Sequence, residues 1–302
     1  MSAAFSLTER SGDMYFTPSH SGGFCEINAP AKINLYLDVT GKRADGYHLL
    51  ETVMHTISLS DSVTLTELDS GGIQIHCSDP LIPRDERNIA YKCARAFLDK
   101  TGKQLGGVGI EIVKNIPSQA GMGGGSADGA AVLKGLNKLL GTGLSEDELI
   151  AIGTPIGADI PFCIKGGCGW CTGIGEIIEP LPELSGTVLI AKGQKGISTA
   201  EAFGRIDSVG QKIGLKDVRE SFLRASSAVE ISDLCRNIFD EVTNCDEVSE
   251  IKRIMTENGA ECACMTGSGS AVFGIFRADE KAEAVRMELD KMGFYAAVCS
   301  LI

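Results

Sequence analysis

From residue 25 the chain reads CEINAPAKINLYLDV. Ile33, Leu35 and Leu37 alternate with Lys32, Asn34 and Tyr36, which predicts a half-buried strand with its polar residues on the solvent side. A turn over 41–46 leads into LLETVMHTISLSDSVTLTEL, a long β-rich run with a bend. In IAYKCARAFLDKTG the apolar Ile89, Cys93, Ala96 and Phe97 recur at helical spacing, and Gly102 suits the C-terminal turn. A strand at 109–114 enters a glycine-rich loop. After it Val132, Leu133, Leu136, Leu139 and Leu140 stripe a helix over 127–140, with Ser126 as candidate N-cap. Ser145 and Glu148 have the spacing of a capping box. Glycine-punctuated strands run on to 182, where Leu-Pro-Glu-Leu-Ser-Gly divides a domain at 25–182 from one at 183–302. The second half predicts a strand at 187–191, a helix at 198–206, a long helical region over 218–258, strands at 262–266 and 271–276, a helix at 279–292 and a strand at 295–298. This mixture suits an α+β fold with an antiparallel sheet.

Composition narrows the classes of partner. A formal charge of −12 and the lack of any Lys/Arg-rich run argue against nucleic acid and against a membrane surface. No apolar run reaches the roughly 18 to 20 residues of a membrane helix. Residues 1–24 are polar, lack the apolar core of a signal peptide and are expected to be a flexible leader. The 11 cysteines are scattered without framework spacing, which points to free thiols in a reducing cytoplasm. Cys168 and Cys171 form a CxxC, but in a strand-like stretch between glycines instead of at a helix start. Buried packing is the favoured reading for them, as for Cys262 and Cys264, over redox or zinc chemistry.

The chemistry concentrates in PSQAGMGGGSADGAA, residues 117–131. Its glycines free the backbone to turn tightly and to aim N–H groups at an anion where a helix begins. The spacing fits neither a Walker loop nor the dinucleotide fingerprint. Close packing through small residues is the other reading. Asp128 favours the helix start but repels a phosphate unless a cation stands between them. Asp159, between Gly157 and Pro161 with apolar Ile160 and Phe162 around it, is either a cap or a base. Tyr47 and His48 could stack on a planar ring.

Three separated stretches resemble the GHMP kinase superfamily: PAKINLYLDVTGKRADGYHLLETVMHTISLSDSV from Pro30, PSQAGMGGGSADGAAVLKGLN from Pro117 and MTGSGSAVFGIF from Met265. Asp85-Glu-Arg-Asn88 and Gly157-Ala-Asp-Ile-Pro-Phe162 match as well, so the resemblance runs from residue 25 to the end. It implies a two-domain α+β fold. An N-terminal α/β domain like domain 2 of ribosomal protein S5 precedes a ferredoxin-like C-terminal domain, with the active site in the cleft between. It also implies an ATP-dependent, Mg²⁺-assisted kinase for a small-molecule alcohol, a monomer or weak homodimer. Gly41-Lys-Arg-Ala-Asp-Gly-Tyr-His48 is similar to members that phosphorylate the 2-hydroxyl of a methylerythritol bearing cytidine diphosphate, in non-mevalonate isoprenoid synthesis.

By that resemblance Lys32 and Asn34 lie beside the acceptor hydroxyl and Asp159 is the general base. Tyr47 and His48 hold the cytosine, with Phe203 on its other face. Asn88 and Lys114 border the adenine. Pro117, Gly121, Met122, Gly123, Gly124, Gly125 and Ser126 wrap the phosphates, Ser126 also serving as a metal ligand. The chain departs from the superfamily at Met122, usually leucine, at Ala127, often serine, at Gly129, usually alanine, and in lacking a proline before Ile197. Two other readings stay open on the same fold, a kinase for homoserine, mevalonate or a sugar, and a non-catalytic nucleotide sensor. Tyr47 and His48 speak against the first; Lys32 and Asp159 speak against the second.

Overall fold

The computed structural model describes residues 7–10, 13–16, 22–209 and 214–302; most of the expected leader at 1–24 lies outside the described residues. Its contacts divide the chain into two compact units, one of residues 1–29, 60–115 and 125–164, the other of 30–59, 116–124 and 165–302.

In the first unit β1 (Leu7–Arg10) pairs antiparallel with β2 (Asp13–Phe16). The Phe16 ring fills the place of a side chain at Gly109, where a Cβ would meet its Cγ at 2.5 Å. The long strands β3 (Phe24–Lys42) and β4 (His48–Leu68) carry the chain through both units. β5 (Gly72–Cys77), α1 (Ile89–Thr101) and β6 (Gly107–Val113) form a βαβ crossover, with β5 parallel to β6 and β6 antiparallel to the end of β4. Val63, Leu65, Val108, Ile110 and Ile112 bury their side chains here. α2 (Gly124–Leu139) packs Val132, Leu133 and Leu136 into the same core; Gly135 lets it approach β4, since a Cβ there would meet Leu65 Cδ1 at 2.5 Å. α3 (Glu146–Gly153) and α4 (Ile160–Lys165) follow.

The local signals are realised where side chains cap helices. The Asn88 side chain accepts from Ala90 N–H, Gly102 ends α1 with φ 64°, and Ser145 and Glu148 make a full capping box. α2 starts earlier than the apolar stripe predicts. Gly123, at φ +68°, makes the turn, and Gly124 and Gly125 enter the helix, so Ser126 lies in its first turn and does not cap it.

In the second unit the first half of β4 pairs antiparallel with β7 (Cys168–Thr172), and β7 with β8 (Ile177–Leu181). β9 (Thr187–Lys192), α5 (Thr199–Val209) and α6 (Val218–Arg224) come next. The predicted continuous helical region over 218–258 is broken. A 3₁₀ turn (Ala228–Leu234) leads to β10 (Arg236–Asn237), parallel to β3, and then to the separate helices α7 (Ile238–Val242) and α8 (Asp246–Glu257). Asn237 makes the break useful: its side chain caps α7 through Phe239 N–H. β11 (Cys262–Met265), β12 (Val272–Phe276), α9 (Asp279–Lys291) and β13 (Tyr295–Ser300) complete the chain. The sheet has the antiparallel order β11-β12-β9-β13, as the α+β reading expects. Leu189, Val248, Ile251, Met255, Val272, Phe276, Val285 and Leu289 form its core with α8 and α9.

All 11 cysteines are free and ten are buried, with Cys262 at intermediate exposure. Cys168 and Cys171, an odd number of residues apart on β7, point to opposite sheet faces. Burial pushes the Cys168 thiol up to about 12. That is the environment of packing cysteines and not of a redox pair.

Candidate active site

Within the second unit the three sequence motifs meet. β3 does not expose its polar side: Lys32, Asn34 and Tyr36 are as buried as Ile33 and Leu35. Lys32 N–H donates to Met122 O at 3.1 Å. The Lys32 ammonium donates to Asn34 Oδ1 at 2.7 Å and to Gly121 O at 3.0 Å. Asn34 is fixed in turn, its backbone N–H donating to Thr266 Oγ1 and its amide to Thr52 Oγ1, each at 2.9 Å.

The glycine loop leans on the turn after β11. Gly121 has φ +73°, and a Cβ there would stand 2.1 Å from Thr266 O. Gly267, at φ +54°, would place one 2.5 Å from Gly121 O. Ser270 and Ala271 N–H donate to Gln119 O and Ala120 O, both at 3.3 Å. From beneath, the Asn237 amide donates to Met265 O at 2.6 Å and to Gly267 O at 2.8 Å. These glycines are therefore required by close backbone approach as well as by any ligand. Thr266 and Asn237 were not singled out by sequence. Thr266 lay inside a recognised motif, whereas Asn237 sat in a stretch that patterned as helix and gave no signal.

The base-binding candidates also lie in the second unit. Tyr47 is 60% exposed. His48 and Phe203 stack on each other, their ring centroids 4.5 Å apart and their planes 18° from parallel, so no third ring fits between them as they stand.

In the first unit Ser126 presents a hydroxyl from the first turn of α2 that has no hydrogen-bond partner among the described residues. A Cβ on Gly157 would stand 3.6 Å from it. Two residues on, Asp159 directly precedes α4 and its carbonyl accepts from Cys163 N–H at 3.0 Å. The backbone turn is closed by Ile160 N–H to Gly157 O at 3.1 Å.

Asp128 faces inward. Its Oδ2 accepts from Lys114 Nζ at 2.8 Å, and the same ammonium is in closer contact with Asp61. Burial pushes the Asp128 carboxyl up to about 7 against the pull of Lys114, and the charge of Asp61 adds to the rise. Burial works against the Lys114 charge, but Asp128 and then Asp61 outweigh it and its net shift is upward. Lys114 thus answers the negative charge at the start of α2. Lys114 and Asn88 both have their polar heads engaged in the fold, Asn88 in capping α1 and in donating to Pro83 O at 2.7 Å.

No group of three or more His, Cys, Asp or Glu side chains that could hold a metal occurs among the described residues. Mg²⁺ in kinases asks less of the protein, one or two oxygen ligands beside the phosphates. The idle Ser126 hydroxyl fits that requirement.

Of the departures, Gly129 and Ala127 have packing reasons. A Cβ on Gly129 would stand 2.9 Å from both Cys93 Sγ and Ile89 Cγ2, and Ala127 is 1% exposed, where a hydroxyl would be buried.

Residues 88–167 match the family model of the GHMP kinases N terminal domain, and residues 219–293 that of the GHMP kinases C terminal. The chain is 41% identical over 271 residues to a protein named 4-diphosphocytidyl-2-C-methyl-D-erythritol kinase from Syntrophomonas wolfei, an alignment that spans 86% of this chain and 92% of that one. To a protein of the same name from Clostridium novyi it is 42% identical over 256 residues, 83% and 90% of the two chains. A crystal structure of 4-(cytidine 5′-diphospho)-2C-methyl-D-erythritol kinase matches with a TM-score of 0.75 at 29% identity, covering 91% of this chain and 98% of the other. Mevalonate kinase from Methanococcus jannaschii, at 15% identity and a TM-score of 0.71 over 93% and 99% of the chains, shares the fold. With three motifs joined in one hydrogen-bonded cluster and relatives this similar over most of their length, the chain belongs to the GHMP kinase family, among the 4-diphosphocytidyl-2-C-methyl-D-erythritol kinases.

Proposed function

We propose that this chain uses ATP to phosphorylate the 2-hydroxyl of 4-diphosphocytidyl-2-C-methyl-D-erythritol. The observation that carries the reading is the meeting of Lys32, Asn34, Gly121 and Thr266, drawn from three distant motifs, in one hydrogen-bonded cluster. The loop from Pro117 through Gly121, Met122, Gly123, Gly124 and Gly125 to Ser126 receives the ATP phosphates on backbone N–H groups. Asn88 and Lys114 serve the adenine side by holding α1 and α2 in place. Ser126 would help to hold Mg²⁺ beside the phosphates, where the ion would supply positive charge.

Phosphoryl transfer asks a protein chiefly for alignment and charge stabilisation. Asp159 takes the proton of the acceptor hydroxyl, and the resulting alkoxide attacks the γ-phosphorus as the bond from that phosphorus to the bridging oxygen breaks and ADP leaves. Lys32 offsets charge gathering on the transferring group, while Asn34, anchored by Thr52 and Thr266, aims the ammonium. Tyr47, His48 and Phe203 receive the cytosine. On a chain of net charge −12, such local cations make two anionic substrates tolerable. The two family matches fall on either side of residue 183, which supports N- and C-terminal domains at 25–182 and 183–302. No helix of the described residues is long and apolar enough to cross a membrane. The 11 free cysteines support a cytoplasmic location, and we take the chain as a monomer or weak homodimer.

The test is ADP release with ATP and Mg²⁺ from a panel of the cytidylyl substrate, homoserine and mevalonate. Turnover of the cytidylyl compound alone is expected; activity confined to another substrate overturns the assignment. Asp159→Asn should lower kcat by at least about a hundredfold with little change in ATP affinity. Turnover equal to wild type would remove Asp159 as the base.

A further inference from the structure

α5 carries Phe203 and Asp207 one helical turn apart, on the same face, and both meet the side chain of His48. Phe203 covers one face of the imidazole at 4.5 Å and is itself held edge-on by Phe239 at 4.9 Å. Asp207 Oδ1 lies 2.8 Å from His48 Nε2, and Asp207 Oδ2 accepts from Lys42 Nζ at 2.6 Å. Hydrogen bonds from Lys42 and then from His48 hold the Asp207 carboxyl below the usual carboxylate range. It is an ionised acceptor, so the proton in the contact belongs to Nε2.

The consequence falls on the other ring nitrogen. A neutral imidazole whose Nε2–H is committed to a carboxylate keeps its lone pair on Nδ1. His48 Nδ1 makes no hydrogen bond among the described residues. With the side chain 9% exposed, one face against Phe203 and Nε2 engaged, Nδ1 is the polar atom left to a ligand. It offers an acceptor.

We infer that Asp207 is a positioning residue that makes the site select cytosine over uracil, by holding His48 in the tautomer whose Nδ1 accepts from an exocyclic amine. The inference rests on the proposed reading that Tyr47, His48 and Phe203 receive the base. Cytosine presents a 4-amino donor where uracil presents a carbonyl. A fixed acceptor bonds the first and sets lone pair against lone pair with the second. Without Asp207 the ring can carry its proton on either nitrogen and answer either base. A purely structural role for Asp207, tying α5 to the end of β3 through Lys42, would leave base choice untouched.

The experiment compares kcat/KM for the cytidylyl substrate and its uridylyl analogue in wild type, Asp207→Ala, Asp207→Glu and Lys42→Ala. Asp207→Ala should lose about tenfold of the cytosine preference, chiefly through KM for the cytidylyl substrate, with KM for ATP unchanged. Asp207→Glu and Lys42→Ala should keep the preference. A wild-type ratio in Asp207→Ala, or an equal loss in Lys42→Ala, overturns the inference. In the substrate-free protein, ¹⁵N spectra of the four histidines, with His48 assigned from His48→Gln, read the tautomer directly. Nε2–H with a bare Nδ1 is expected for His48 in wild type and a mixture in Asp207→Ala; Nδ1–H in wild type overturns it. Failure of the wild type to turn over the cytidylyl compound, or to prefer it, overturns the proposed function instead.

Discussion

Asp128 carries the clearest electrostatic consequence at the scale of single residues. Two carboxylates, Asp61 and Asp128, share the one ammonium of Lys114, and all three side chains are nearly sealed from solvent. Because burial lifts the Asp128 carboxyl to about 7, the folded chain holds a proton there at pH values where the unfolded chain has released it. The stability this group adds is full in acid and declines as pH rises from the ordinary carboxylate range toward about 7. The urea midpoint of wild type minus that of Asp128→Asn should therefore fall over that window; a difference that stays flat or grows contradicts the assignment. Residue identities were legible here but their pairing was not. The sequence puts Asp128 beside a candidate phosphate loop and asks for a cation near it, and Lys114 supplies that charge. Spacing along a chain says nothing about which buried charge finds which.

Among the elements, the glycine loop and the turn after β11 behave as a single device. Gly121 has a left-handed backbone and no space for a side chain, so Gly121→Ala meets both objections together. A left-handed backbone with a Cβ costs roughly 1–2 kcal/mol by itself. The clash with Thr266 O then displaces the loop backbone proposed to receive the phosphates, and shifts near an ångström can cost about a hundredfold in rate. Steady-state kinetics should show kcat/KM for ATP reduced by about that factor, and wild-type kinetics in the variant would disprove the close approach. Elements with their own chemical punctuation were readable in advance: the Asn88 cap, the Gly102 stop, the Ser145 box. The region over 218–258 was not, since its apolar spacing satisfies a helix and the break at Asn237 answers to carbonyls of Met265 and Gly267 that sequence cannot see. The polar side of β3 was misjudged for the same reason, because alternation reports chemistry, and only the folded chain reports what covers it.

For the whole molecule, the two compact units are not consecutive pieces of chain. β3 and β4 each belong partly to one and partly to the other. The fold class was legible from motif resemblance and from the strand and helix mixture, while this interleaving has no signature in local pattern. The cysteines sample the whole interior, with representatives from β3 to β13. Ten of the 11 are buried, so a thiol reagent applied to the native protein should modify Cys262 quickly and the others only as the fold opens. Fast labelling of Cys168 or Cys171 would reopen the redox reading that their burial closes.

The contact between Gly121 and Gly267 also bears on how such a chain could be recombined. A Cβ on Gly121 would run into Thr266 O and one on Gly267 into Gly121 O, so neither stretch is a portable cassette. A chimaera taking the loop from one parent and the turn from another inherits two halves of one backbone interface. Grafting a new acceptor specificity onto this scaffold is therefore safest by changing residues around His48 and Phe203, the proposed base-binding side chains, leaving both glycine stretches to travel together.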